Sequence, residues 1–111
     1  MDDAAREARI ARNESRFREI NEQLETDLRR LPGDPEIVSF VCECGNRACA
    51  DLVQMTFEEY ERVRSDSHTF VVVPGHEMPE VEEVVQRTER FHVVAKVERT
   101  QRIVETTDPR Q

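Results

Sequence analysis

The chain has no tryptophan, one tyrosine, one lysine and three glycines, and its three cysteines come without a fourth. Each shortage narrows the reading. Aromatics make up 5% and hydrophobic residues 37% of 111 residues, enough for one modest core near the polar edge of what folds alone. A metal staple or a partner chain would help such a core. No apolar run is long enough to span a membrane and no signal-peptide pattern is present, so a cytoplasmic location and no membrane partner are expected. Lack of a fourth cysteine excludes a four-cysteine zinc site and, within one chain, a cysteine-held iron–sulfur cluster. No histidine follows His76 by four residues, so the "HE" at His76–Glu77 is not the H-E-x-x-H of a metalloprotease. No Ser or Cys stands in the context of a catalytic triad, and the chain is expected not to be an enzyme.

Charge is plentiful but uneven. Residues 1–31 carry eight acids and seven bases, net −1; residues 32–111 carry sixteen acids and nine bases, net −7. An acidic globular part disfavours nucleic acid as a partner. The acid clusters Glu58, Glu59, Glu61 and Glu80, Glu82, Glu83 read as solvated faces.

What is present begins with a helix. Residues 2–31 contain no Gly or Pro and are rich in Arg, Glu, Ala and Leu. Ile10, Phe17, Leu24 and Leu31 fall seven apart, with Ile20 and Leu28 beside them and Asn13 in the accompanying line. Two readings fit: an amphipathic helix lying on its own domain, or a coiled-coil seam forming a homodimer, with Asn13 fixing register. "LPGDP" then stops the helix, with Gly33 suited to a left-handed cap, and makes 32–35 a linker. Strands are expected at 37–41, 51–55 and 69–74, and a helix capped by Thr56 and Glu59 begins at "TFEEYERVR". The stretch 83–96 reads as a hairpin turning near 88–90, with a short helix at 80–87 as the alternative. A last short helix precedes a tail at 108–111.

The chemistry gathers in "FVCECGNRAC", where Cys42, Cys44 and Cys49 lie within eight positions around a Gly45–Asn46 turn. Clustered thiols in a reducing compartment point to metal or redox chemistry. Zinc takes four ligands, and His76 in "VPGHEM" is the expected fourth, aimed by Pro74 and Gly75. His68, or an oxygen from Asp51 or Glu43, is the alternative, and His92 lies inside a strand.

Three motifs together, the C-x-C-x4-C loop, Met55–Arg64 ("MTFEEYERVR") and Phe70–Val85 ("FVVVPGHEMPEVEEVV"), resemble a family of small, uncharacterised bacterial proteins. The resemblance covers about residues 40–97. It implies a His beside the cysteines and a hairpin in the second half, and carries no activity, substrate or partner with it.

The expectation is an α+β fold: a small zinc-stapled antiparallel sheet domain over 36–107 with one packed helix, preceded by a protruding helix over 1–31. Its expected role is a small acidic zinc-binding module, regulatory or protein-interacting, with Zn2+ structural. A thiol redox or zinc-release sensor is the second reading, and a nucleic-acid-binding zinc module the weaker third.

Overall fold

The computed structural model describes residues 3–33 and 35–110, which form α1 (Asp3–Arg30), β1 (Val38–Val41), β2 (Leu52–Met55), α2 (Phe57–Arg64), β3 (Thr69–Val72), β4 (Glu82–Arg87), β5 (His92–Lys96) and α3 (Glu98–Thr106). The fold is α+β, as expected, and the last short helix is α3. β1 and β2 make an antiparallel hairpin, and β3, β5 and β4 make an antiparallel sheet in that order. Residues 82–96 are therefore a hairpin and not a helix: β-branched Val side chains, with Val84 opposite Val94, gain more from pairing on a sheet than from one short helical face.

Period-two alternation places the first core. Val38 and Phe40 of β1 and Val53 and Met55 of β2 point inward together, because the register sets Phe40 opposite Val53 and Val38 opposite Met55. Tyr60 of α2 stacks on Phe40 with ring centroids 4.3 Å apart. The capping box that starts α2 is present, with Glu59 N–H donating to Thr56 Oγ1 and Thr56 N–H to Glu59 Oε1. A second cluster joins Phe70 and Val72 of β3, Val94 of β5, Val104 of α3 and Ala11 of α1 with Cys42 and Cys44. Gly33 takes φ 103° after α1, a left-handed conformation that glycine adopts without steric cost.

α1 departs from the expectation. It lies along the domain and does not protrude, and the face it buries is polar: Glu14, Ser15, Arg18, Asn21 and Glu25, at helical spacing with Ala11. Arg18 is fully buried, donates to the Ser67 and Val104 carbonyls at 2.7 Å each, and sits 4.5 Å over the Phe70 ring. Asn21 pairs with both backbone groups of Val41 at 2.8 Å, extending β1 as a further strand would. Lys96 reaches Glu14 at 2.6 Å and Glu82 at 3.2 Å, all three out of water. Burial and the neighbouring Glu82 push the Glu14 carboxyl well above the usual range, and Lys96 opposes that rise. Glu82 is thus not on a solvated face, because Lys96 compensates its burial.

The apolar line on α1 is correspondingly divided. Ile10 is buried, Leu24 and Leu28 pack on the edge of the first core, and Phe17 is half-buried, while Ile20 and Leu31 stay exposed. It is not one free seam, and Asn13 is engaged within the chain, donating to the Gly45 carbonyl at 2.9 Å. The expected tail is also held. Asp108 pairs with Arg64, and Arg110 binds Glu22, Glu25 and Glu61. Residues 1, 2, 34 and 111 of the expected helix, linker and tail lie outside the described residues.

Candidate metal centre

The cysteine loop is the end of the β1–β2 hairpin. Cys42 N–H donates to the Asp51 carbonyl at 2.9 Å, one residue beyond the ladder, so Cys42 leaves β1 still in extended register. Extended chain alternates sides, which turns Cys42 and Cys44 one way and Glu43 the other. Glu43 is fully buried among Asn21, Tyr60 and the Val71 N–H, with Tyr60 Oη donating to it at 2.6 Å. Its lone pairs are used there, and it faces away from the thiols. It is not an oxygen ligand.

The chain then turns back through Asn46–Cys49. Cys49 N–H donates to the Asn46 carbonyl at 2.9 Å, and Ala48 N–H to Asn46 Oδ1 at 3.0 Å. Gly45 has no positive φ, so its role differs from the tight turn expected of it. A Cβ at Gly45 would overlap Ile10 of α1 and lie 2.9 Å from Met78 Sδ. Glycine is required there because the helix and the Met78 side chain close over the loop.

His76 arrives on a separate turn. Its N–H donates to the Val73 carbonyl at 2.9 Å, with Pro74 and Gly75 as the central pair and Gly75 at φ 95°. Proline first and a positive-φ glycine second make a type II turn, which aims His76 as the sequence implies. The structure brings Cys42, Cys44, Cys49 and His76 together, with their ligand atoms all within 4.8 Å of one another. His76 Nδ1 lies 3.5 Å from Cys42 Sγ and 3.7 Å from Cys49 Sγ. A tetrahedral zinc with bonds of about 2.3 Å to sulfur and about 2.0 Å to nitrogen sets such edges at about 3.5–3.8 Å. The two edges to His76 already have that length.

The surroundings suit a cation. Val73 N–H donates to Cys42 Sγ at 3.2 Å, and the backbone N–H groups of Asn46 and Asp51 favour the thiolates of Cys44 and Cys49. The Cys44 thiol is lowered to about 5, chiefly by the hydrogen bond from Cys42. Cys42 is pushed far up by that same bond and by burial, and Cys49 is raised by burial. Three sulfurs this close oppose one another's ionisation, and a metal ion is what would let all three ionise. His76 Nδ1 faces the sulfurs, and Nε2, on the far side of the ring, lies 3.5 Å from Asp51 Oδ2. Asp51 therefore stands behind the histidine and not among the gathered donors. Cys42 and Cys44 are buried, while Cys49 and His76 form a half-buried rim.

The other histidines lie outside the cluster. His68 Nε2 is 2.8 Å from Glu105, and His92 Nδ1, 3.7 Å from Glu77, makes no hydrogen bond among the described residues. The sequence reading missed the Asp51 role and the cover supplied by Ile10 and Asn13. Strand alternation through C-E-C was the available signal for Glu43; nothing local signals that α1 crosses the loop. No helix among the described residues is long and apolar enough to cross a membrane. Set against protein-family models, curated proteins and solved structures, the chain matches none of them.

Proposed function

We propose that the protein is a small zinc-binding module without catalysis of its own, in which a Cys3His site staples the hairpin loop at 42–49 to the turn at 74–77 and fixes a surface for a protein partner. One observation carries the reading: three sulfurs and one imidazole nitrogen within 4.8 Å, converging from two separately built turns. Borderline-soft Zn2+ matches that donor set, and hard cations that need oxygen do not. Four protein donors fill a tetrahedral shell, which favours a structural ion over one with an open position for substrate. The formal charge of −8 directs the partner search to protein before nucleic acid. The kinship with small bacterial proteins that share the cysteine loop, the EYExVR helix and the PGHE loop belongs to this proposal, as does a cytoplasmic setting, where thiolates stay reduced. Metal analysis and native mass of the purified chain, with His76→Ala alongside, test it. One zinc per chain, lost or much weakened in the variant, is expected; no bound metal, or full retention by His76→Ala, would end the reading. The mass reports directly on a homodimer.

The half-buried rim at Cys49 favours one second reading, a zinc-release sensor. Peroxide would oxidise two thiolates to a disulfide, itself reduced to water, and the ion would leave. Zinc release within minutes at mild peroxide, reversed by a dithiol, supports this; retention supports a purely structural ion.

A further inference from the structure

Seven of the fifteen arginines of this acidic chain make ion pairs with carboxylates among the described residues. Of the other eight, four stand together: Arg9, Arg12 and Arg16 on the exposed side of α1, and Arg47 in the cysteine loop. Arg9, Arg12 and Arg47 border a cavity of about 650 Å³ between α1 and the loop, which also includes Gly45, Asn46 and Met78, and Arg16 lines the hollow beside it. That second hollow shares Asn13 and Arg47 with the cavity, and a third shares Arg16 and Ile20 with the second. The three form one furrow from Arg6 to Gln23, about 25 Å long at 1.5 Å per helical residue. Its floor is apolar where Phe17, Ile20 and Met78 contribute.

We propose that this furrow binds an acidic, amphipathic segment of a partner protein, with carboxylates on Arg9, Arg12, Arg16 and Arg47 and apolar side chains on Phe17, Ile20 and Met78. The proposal deepens the interaction-module reading and rests on it. Planar guanidinium groups pair carboxylates bidentately, and arginines on an apolar floor are the usual anchors of an interface. Charge selects the occupant. A second copy laid face to face would set arginine against arginine. A long polyanion would overrun the furrow onto the rest of the chain, whose charge without these four arginines is −8 − 4 = −12. A segment of the furrow's own length avoids both. Asn46 and Arg47 lie between ligands Cys44 and Cys49, so the metal would hold one wall in place.

The test is fluorescence anisotropy on the zinc-loaded full chain at low salt, with three labelled probes of about fifteen units: a Glu/Leu peptide at helical spacing, its Lys/Leu counterpart and a single-stranded DNA. The Glu/Leu peptide is expected to bind, weaken with salt, and lose about tenfold or more in affinity to Arg12→Glu and to Arg47→Glu. Arg12→Gln should lose less, and Arg62→Glu, on α2, nothing. Thermal melts establish that each variant folds. Equal binding of the Lys/Leu peptide, unchanged affinity in both reversals, or tighter binding of the DNA overturns the proposal; a doubled native mass that those reversals abolish makes a second copy the occupant and also overturns it. Zinc is assayed in the same samples. Loaded protein that ignores the peptide ends this inference alone, and peptide binding by protein that takes no zinc ends the zinc reading alone.

Discussion

Replacing Arg18 with methionine tests how the long helix is held. The substitution keeps much of the aliphatic volume and removes the guanidinium. The buried Val104 carbonyl and the half-buried Ser67 carbonyl each lose a donor at 2.7 Å, and the Phe70 ring loses the cation above it at 4.5 Å. Leaving a buried acceptor unpaired costs about 1–3 kcal/mol. Asp108 keeps Arg64, and Glu43 keeps Asn21, Tyr60 and the Val71 N–H, so neither carboxylate is stranded. The expected loss is about 3–5 kcal/mol, a large share of the total stability of a small domain. Urea unfolding of zinc-loaded protein reads it as a fall of about 1–3 M in midpoint at unchanged slope. Ile20→Ala is the control. Ile20 is 46% exposed, and its truncation should stay within about 0.5 kcal/mol. A loss under 1 kcal/mol for Arg18→Met, or a larger loss for Ile20→Ala, would refute the view that α1 docks through its polar face.

Three further outcomes follow from the same contacts. Gly45→Ala forces a methyl against Ile10 and Met78 and should cost about 1–3 kcal/mol by urea unfolding, while also weakening zinc retention against a chelator. Asp51→Asn removes the carboxylate behind His76 Nε2; because Asp51 is largely exposed, the expected fall in zinc affinity is at the low end of the outer-shell range, about tenfold, read by competition with a chelating dye. Glu61 is held down to about 2 by the hydrogen bond from Arg110, so its contribution is present above about pH 4.5 and is lost as pH falls toward 2. The stability difference between the wild type and Arg110→Ala, in which metal loss cancels, should therefore shrink over that window; an unchanged difference would remove the pair from the account.

Much of the fold was legible because local signals and packing agree. The Thr56–Glu59 capping box, the Pro74–Gly75 turn and the paired β-branched valines each act within a few residues, and each gave its element. The face of α1 was not legible. Its apolar line follows a seven-residue spacing that resembles a seam between chains, yet the side chains that reach the sheets are Glu14, Arg18 and Asn21. Their partners, Lys96, Val104 and Val41, are distant in sequence and closed only by the fold. A polar side chain reads as exposed until its buried partner is known. The four gathered donors were legible for the converse reason: thiols and an imidazole set beside tight turns have few structural uses outside a metal site. Asp51 and Gly45 were visible as residues but not in their roles, which depend on what faces them.

Zinc X-ray absorption on the purified chain carrying one equivalent of metal tests the central claim most directly. The account predicts a first shell of three sulfurs at about 2.3 Å and one imidazole nitrogen at about 2.0 Å. A shell containing oxygen in place of a sulfur or the imidazole, or six light ligands, would contradict it.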